Sequence, residues 1–217
     1  MKTLLLFPLL LVATTVSAAE SRPNIVLIIT DDMGFSDIGC YGGEIQTPNI
    51  DSLARRGAKF SQFYNCGKCE PSRAALITGH QFWTHDANVA IRKDSPNFGE
   101  IIQAAGYRTM MVGKWHAFGN PFERGFHRHF GFMTGGCDFF LGNDTFTLDG
   151  KPWTVPKDDF YATYEFTDYA DQFIREEQAA HPDQPFFLYL AYNAPHSPIQ
   201  APADQVAKYR SKYLKGW

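Results

Sequence analysis

The fold class is decided by residues 24–32, which read NIVLIITDD. A continuous run of β-branched and leucine side chains, without polar alternation, predicts a strand that is buried on both faces, as in a parallel sheet. The run ends abruptly at two adjacent carboxylates, Asp31 and Asp32. Residues 109–112 (TMMV) and 185–192 (PFFLYLAY) have the same character and predict two further buried strands.

Segments with helix signals lie between these strands. Thr47-Pro48 and Ser95-Pro96 are each typical of a helix start, because proline suits the first helical position. Strands that alternate with helices indicate an α/β fold, with a mainly parallel sheet flanked by helices. The other predicted elements are helices over residues 47–54, 71–78, 95–105 and 167–180, a short strand over residues 60–64 and a long aromatic loop over residues 119–142.

The bulk composition is that of a folded, globular protein. The chain has 217 residues, of which 44% are hydrophobic and 20% are charged, so it can form one sizeable core. Its formal net charge is −3, without a long run of lysine or arginine. A nucleic-acid partner normally requires a basic patch, so the composition argues against that class of protein.

The first residues have the pattern of a secretory signal peptide. Lys2 supplies a positive start, residues 4–13 are apolar, and residues 17–19 (SAA) offer small side chains to a peptidase. The apolar run is short for a bilayer span, although an uncleaved anchor remains the alternative. We expect cleavage of residues 1–19, a mature chain of residues 20–217 without a transmembrane segment, and export to the periplasm or the medium.

Ionisable side chains follow the end of each predicted buried strand. Asp31 and Asp32 follow the first strand, Lys114 and His116 follow the second, and His196 follows the third. In open α/β sheets, ligands bind beyond the carboxyl ends of the strands. We therefore expect these side chains to converge on one site, although polar residues are common in any loop.

The pair Asp31–Asp32 is a candidate cation site. Adjacent carboxylates repel each other, and a cation beside them relieves the repulsion. Carboxylate oxygens are the ligands that Ca²⁺ and Mg²⁺ prefer. From the dipeptide alone, a solvated pair at a strand end is an equally good interpretation.

A candidate nucleophile lies at the start of residues 69–79, which read CEPSRAALITG. Cys69 is expected just before a helix, with Pro71 in the first turn and Arg73 in the next. Helix N-termini carry unpaired N–H groups that attract anions, and arginine donates paired hydrogen bonds to oxyanions. The spacing therefore predicts an anion site beside a nucleophile.

Cys66 forms a Cys-x-x-Cys pair with Cys69, and this leaves two alternatives open. Such a pair is typical of thiol redox chemistry or of half a zinc site. A zinc site needs a second pair of ligands, but the sequence has no second Cys-x-x-Cys and no clustered histidine pair. The remaining cysteines are Cys40 and Cys137.

The pattern C-x-P-S-R-x-x-x-x-T-G in residues 69–79 resembles the signature of the formylglycine-dependent (type I) sulfatases, in the alkaline-phosphatase-like superfamily. That family is also matched, in order and approximate spacing, by NIVLIITDD at residues 24–32, GKWH at residues 113–116 and APHSP at residues 194–198. The resemblance covers nearly the whole mature chain and implies the amino-terminal part of a sulfatase catalytic domain.

The resemblance implies a sulfuric ester hydrolase in which Cys69 is oxidised to formylglycine by a maturation enzyme that recognises Pro71 and Arg73. The aldehyde hydrates to a diol, which explains why a thiol is replaced. One hydroxyl attacks sulfur and expels the alcohol, and deprotonation of the other releases sulfate. The implied substrates are sulfated small molecules or sulfated glycans.

The resemblance also implies the ligands of a metal. Asp31, Asp32 and the modified Cys69 would contact it. The metal is Ca²⁺ in most relatives, with Mg²⁺ as the alternative. Arg73 would hold the diol.

Three further residues would act on the sulfate group. The resemblance implies that Lys114 binds a sulfate oxygen and offsets charge in the transition state. His116 would contact the diol as the base for its collapse, and His196 would bind sulfate near the leaving oxygen and help to protonate it.

The chain departs from the family in its length. Sulfatases are usually much longer, and they complete the metal site with a later acidic-amide pair and add a second sulfate-binding lysine. We find no matching segment, so we expect a fragment or early-terminated product with a weak metal site and little activity by itself. The alternatives are a phosphate or phosphonate ester hydrolase of the same superfamily, and an inactive truncated relative.

Overall fold

One sheet of six strands organises the computed structural model, which describes residues 22–80 and 95–212. The strand order is β1-β6-β2-β3-β4-β5, parallel from β1 to β3 and antiparallel from β3 to β5. The predicted α/β fold with a mainly parallel sheet is confirmed, while the predicted signal peptide lies outside the described residues. The strands are β1 (Ile25–Asp31), β2 (Arg108–Lys114), β3 (Arg128–Phe132), β4 (Phe146–Leu148), β5 (Lys151–Pro152) and β6 (Phe186–Pro195).

Helices connect these strands and flank the sheet. Gly79 ends the second helix with a φ of 69°, the left-handed conformation of a glycine stop. Within the two described ranges, no helix is long and apolar enough to cross a membrane. The helices are α1 (Pro48–Arg56), α2 (Cys69–Thr78), α3 (Phe98–Ala104), α4 (Ala162–Ala180) and α5 (Ala203–Arg210).

The central strands are covered on both faces, because successive side chains point to opposite sides of a sheet. Leu188 of β6 packs in one core with Phe166 of α4. Its neighbour Tyr189 packs in the other core, with Ile77 of α2 and Phe98 of α3. Strand β6 is thus buried as predicted, and its carboxyl end lies between two helical layers.

Strand β1 is an edge strand, contrary to the prediction that it is buried on both faces. Among the described residues it pairs only with β6. Ile25, Val26 and Ile28 are 39%, 48% and 53% exposed. The prediction was wrong because an apolar run indicates that a strand needs cover on both faces, but not which segment provides the cover.

The sequence prediction also failed in the loops. Residues 60–64 form no strand, and all of them are exposed. The predicted loop over residues 119–142 contains β3, which includes Gly131. A Cβ on Gly131 would lie 1.9 Å from the carbonyl oxygen of Gly113 on β2. The glycine therefore allows the two strands to approach closely and does not mark a loop.

Several helix boundaries differ from the prediction. Helix α2 begins at Cys69 itself, and α4 begins at Ala162, before the predicted start. Helix α3 begins at Phe98, later than predicted, because the Asn97 side chain accepts a hydrogen bond from the Glu100 amide at 3.2 Å. This cap, and not the Ser95-Pro96 pair, sets the start of the helix, because it satisfies an otherwise unpaired N–H group. Strands β4 and β5 and helix α5 were not predicted.

Candidate active site

The carboxyl ends of β1, β6 and β2 lie side by side at one edge of the sheet. Asp31 is the last residue of β1, Lys114 is the last residue of β2, and His196 directly follows β6. Parallel strands end at the same edge, so the fold brings together side chains that are far apart in the sequence. This geometry is the one expected from the strand-end pattern.

Three buried charged side chains form what we call the charge centre: Asp31, Arg73 and Lys114, which are 4%, 1% and 0% exposed. Lys114 Nζ donates a hydrogen bond to Asp31 Oδ2, and Arg73 Nη2 lies 3.6 Å from Asp31 Oδ1. Arg73 Nη1 also donates to the carbonyl oxygen of Lys114 at 3.0 Å. Two cations against one carboxylate leave the charge centre with a net positive charge, which suits an anionic ligand.

The guanidinium of Arg73 keeps free donors. Its Nε and Nη2 atoms are buried and have no hydrogen-bond partner among the described residues. A buried donor without a partner costs about 1–3 kcal/mol. Arginine donors of this kind bind carboxylate, phosphate and sulfate oxygens well, so the unpaired atoms indicate an oxyanion site.

Cys69 and His116 lie together beside the charge centre, with 3.7 Å between Cys69 Sγ and His116 Nδ1. Cys69 is the first residue of α2, and the N-cap residue Lys68 makes no side-chain cap. The first-turn N–H groups of α2 therefore have no side-chain acceptor from the N-cap residue, and they favour negative charge beside Cys69.

The imidazole of His116 is held neutral. Its pKa is lowered from 6.5 to about 4, mainly by burial and also by the positive charges of Lys114 and Arg73, while Asp31 opposes the shift. At neutral pH this ring can accept a proton but carries no charge. Its backbone has a φ of 47°, and a Cβ on Gly135 would lie 3.0 Å from His116 Cε1.

A second pair, Asp32 and His196, lies at the more exposed rim. His196 Nε2 is 3.7 Å from Asp32 Oδ2, and Asp32 is 58% exposed. His196 Nδ1 donates to the carbonyl oxygen of Ser197 at 2.5 Å, which leaves Nε2 to face the carboxylate. Positive charge on His196 also lowers the pKa of His116, so the two histidines lie within electrostatic range of each other.

An open pocket of about 650 Å³ adjoins these residues. Its lining includes Asp31, Asp32, Arg73, Cys66 and Cys69. Lys114, His116 and His196 do not line it. The pocket lies between β1, the exposed segment before α2 and α2 itself.

Sequence reasoning missed three residues of the site. Tyr189 lies in the apolar run of β6, yet its hydroxyl accepts a hydrogen bond from Arg73 Nη1 at 3.4 Å. Gly135 and Gly136 pack against the rings of His116 and His196, where a side chain would be crowded. A Gly-Gly pair in a loop is a signal for such close approach, but the sequence does not say to what.

Asp31 and Asp32 match Ca²⁺ in the kind of donor but not in number. Ca²⁺ takes about six to eight oxygen ligands, and these residues offer two carboxylates. Within residues 22–80 and 95–212, no group of three or more His, Cys, Asp or Glu side chains could hold a metal ion. The two aspartates therefore fit as a partial set of ligands.

The fold and site define an α/β protein with a mainly parallel sheet and a cysteine at a helix N-terminus beside a buried charge centre. One similar structure is a protein of the alkaline phosphatase superfamily from Vibrio parahaemolyticus, with a TM-score of 0.59 and 21% identity over 84% of this chain and 43% of that chain. The family model described as Sulfatase matches residues 23–217. The chain belongs to the sulfatase family.

Individual relatives agree with that family. The arylsulfatase of Klebsiella aerogenes is 34% identical over 93% of this chain and 49% of its own length. Arylsulfatase J of Mus musculus is 36% identical over 90% of this chain and 36% of its own. The structure of Ps i-CgsB in complex with k-i-k-neocarrahexaose has a TM-score of 0.75 and 34% identity, covering 88% of this chain and 49% of that one. The chain therefore spans about half, or less, of these relatives.

Proposed function

We propose that this chain is the amino-terminal part of the catalytic domain of a sulfate-ester hydrolase, with residue 69 as the site of the nucleophile. One observation carries the proposal: Cys69 lies at an uncapped helix N-terminus, 3.7 Å from His116 and next to a positive charge centre with unpaired donors on Arg73. Family membership favours a sulfate ester over other tetrahedral anions. Converted to formylglycine and hydrated, residue 69 supplies two hydroxyl groups, one to attack sulfur and one to be deprotonated.

Arg73 and Lys114 bind negative charge in this proposal. The Nε and Nη2 atoms of Arg73 donate to the hydroxyl groups at residue 69, which relieves their lack of partners. Lys114 leaves part of its pairing with Asp31 to donate to a sulfate oxygen, where it offsets charge that grows in the transition state. Both side chains are almost fully buried, so little water screens them.

The two histidines move protons. His116 is neutral near pH 7 because its pKa is lowered to about 4, so it can accept a proton from the group at residue 69, which Nδ1 faces. His196 presents Nε2 toward Asp32, and a protonated ring there can donate to the leaving oxygen of the ester.

Asp31 and Asp32 would hold the divalent metal, for which Ca²⁺ is our first choice and Mg²⁺ the alternative. When bound, the metal supplies positive charge to oxygens of the sulfate group. Asp31 already faces Lys114 and Arg73, so the described residues give a weak site that needs further oxygen ligands.

We infer that full activity needs the second half that the longer relatives carry. The exposed apolar residues of β1 are a place where such a segment would pack. This chain by itself is expected to show little turnover, because the described residues give only a partial metal site.

The proposed substrates are sulfated sugars or aryl sulfates. The structure of BT4656 holds its substrate D-glucosamine-2-N,6-O-disulfate, and it is 31% identical with a TM-score of 0.75 over 88% of this chain and 38% of that one. Another relative, from Sus scrofa, is an N-acetylgalactosamine-6-sulfatase. We also propose that residues 1–19 are removed on export and that a formylglycine-forming enzyme acts on the exported or translocating chain.

Peptide mass spectrometry of residue 69 is the deciding experiment. The chain is expressed with a formylglycine-forming enzyme and digested, and the peptide with residue 69 should lose about 18 Da relative to the thiol form. Cys69→Ala is the control, because it cannot form the aldehyde. A thiol that persists beside a competent enzyme would overturn the proposal and favour an inactive relative.

A paired substrate test separates sulfatase from phosphatase activity. The protein extended by its second half is assayed on the sulfate and phosphate esters of one nitrophenol. We expect faster release from the sulfate ester. Faster release from the phosphate ester would replace the proposal by a phosphate-ester hydrolase of the same superfamily.

A further inference from the structure

Cys66 has no role in the proposed reaction, although it lines the same pocket as Cys69. Its side chain is exposed, whereas Cys69 is half-buried, and neither forms a disulfide. A pocket that already contains the cysteine to be modified therefore contains a second, more accessible thiol three residues earlier in the chain.

The backbone holds Cys66 against the first turn of α2. Its N–H donates to Ser72 Oγ at 3.1 Å. Ser72 follows Cys69 by three residues in the helix, so the two side chains lie on one helix face, with Cβ atoms about 5–6 Å apart. The hydrogen bond therefore draws Cys66 to the face that carries Cys69.

The turn between the two cysteines supports this approach. Gly67 has a φ of 70°, which glycine adopts without strain, and a Cβ there would meet nothing within 4 Å. The Gly67 amide donates to Asn65 Oδ1 at 2.7 Å, which stabilises the reversal of the chain. A short, open turn closes a Cys-x-x-Cys ring at small entropic cost.

We propose that Cys66 and Cys69 form a reversible disulfide that withholds Cys69 from conversion to formylglycine. The oxidant is a small disulfide such as oxidised glutathione. The exposed Cys66 sulfur, as thiolate, attacks one glutathione sulfur, which forms a mixed disulfide and releases one glutathione thiolate. The Cys69 sulfur then attacks Cys66 Sγ, which closes the Cys66–Cys69 bond and releases the second glutathione. Both glutathiones leave as thiols with the two protons lost by the cysteines.

The other two cysteines do not compete for this bond. Cys137 is buried, and burial raises its pKa to about 12, so it is a poor nucleophile. The Cys40 amide donates to Asp51 Oδ1 at 2.8 Å and its carbonyl accepts from Lys59 at 2.9 Å, which ties Cys40 to the loop beside α1. The consequence for maturation rests on the proposed function, but formation of the disulfide does not.

Trypsin digestion makes the disulfide directly visible, because cleavage after Lys68 separates the two cysteines. The unmodified 217-residue chain is equilibrated with oxidised and reduced glutathione, alkylated and digested without reductant. We expect the peptides of residues 60–68 and 69–73 to appear as one species, about 2 Da lighter than their sum. Reduction before alkylation should separate them.

Two variants control this measurement. Cys40→Ser should keep the joined species, and Cys66→Ser should lose it while Cys69 becomes alkylated. Peptides of Cys66 and Cys69 that stay separate at every glutathione ratio, or a joined species that contains Cys40, would overturn the proposal.

The effect on maturation is then read separately. Pre-oxidised and pre-reduced chains are presented to the formylglycine-forming enzyme, and the loss of about 18 Da at residue 69 is followed. We expect conversion of the reduced chain and of Cys66→Ser, and at least tenfold less conversion of the oxidised wild type. Equal conversion of oxidised and reduced wild type would show that the disulfide does not withhold Cys69 from the enzyme, and would overturn that part of the proposal. If even the reduced chain is not converted, the result counts against the proposed function. The joined peptides would still establish the disulfide in that case.

Discussion

Lys114 at the end of β2 and Asp31 at the end of β1 form an ion pair that spans the intervening strand β6. Both side chains are nearly fully buried, and Arg73 is the other charged partner of Asp31, at 3.6 Å. The pair ties together the strands that carry the proposed site. Its contribution to folding can be measured apart from catalysis.

Replacing Lys114 with methionine should destabilise the fold. Lys114→Met keeps an unbranched side chain but leaves the buried carboxylate of Asp31, among residues 22–80 and 95–212, with the longer contact to Arg73 alone. Breaking a buried pair on one side costs about 3–5 kcal/mol, which urea denaturation at neutral pH should show. Arg175→Met removes an exposed partner of Asp171 and should leave the free energy of unfolding unchanged. Equal midpoints for both variants would contradict the prediction.

The buried ring of His129 should make the protein sensitive to acid. Burial lowers its pKa from 6.5 to about 3, so between these values the unfolded chain binds more protons than the folded one. The free energy of unfolding therefore falls as pH falls through that window, by about 3 kcal/mol at about pH 4.5 for this group. His129→Phe should flatten this part of the pH dependence, measured by urea midpoints from neutral to acid pH.

Thr147→Val is the matched control for the acid experiment. Thr147 Oγ1 lies 3.2 Å from His129 Nδ1, so the variant changes the same contact while it keeps the titrating ring. Its stability at neutral pH should drop slightly, but its acid sensitivity should remain. If the free energy of unfolding of His129→Phe falls with pH as steeply as that of the wild type, other groups cause the loss of stability in acid.

The exposed face of β1 should drive self-association of this chain. Ile28 is 53% exposed on an edge strand, and such edges pair with other chains. Ile28→Lys should lower the apparent mass at high protein concentration, measured by light scattering. Leu141→Lys adds the same charge at a loop residue that is 73% exposed and should have no effect. A similar decrease in both variants would point to net charge instead of the edge.

Calcium should bind this chain weakly. Two carboxylates make a partial site, so we expect calorimetric titration to about 1 mM Ca²⁺ to remain unsaturated. Asp32→Asn should remove the residual heat, whereas Asp144→Asn, on an exposed loop residue, should not. Saturation at micromolar Ca²⁺ would mean that the described residues miss ligands that the chain possesses.

The boundaries of elements depended on contacts that local sequence does not contain. The region around Gly131 is rich in Gly, Phe and His and therefore predicts a loop, but the close approach of Gly113 requires a glycine within β3. The apolar run of β1 was assigned to the sheet interior because its composition is that of a covered strand. Its edge position depends on which other segments pair with it, and the local sequence of the strand does not specify those segments.

The sequence by itself determined the α/β class, the family signature in residues 69–79 and the polar residues at the ends of β1, β2 and β6. These are local properties, since apolar runs, caps and motif spacing act over a few residues. Only the tertiary structure decided that Arg73 keeps unpaired donors, that burial and neighbouring cations hold His116 neutral, and that the backbone of Cys66 is hydrogen-bonded to Ser72 on the helix face that carries Cys69. Those properties depend on distance and on exclusion of water, which arise when separate strands and helices pack together.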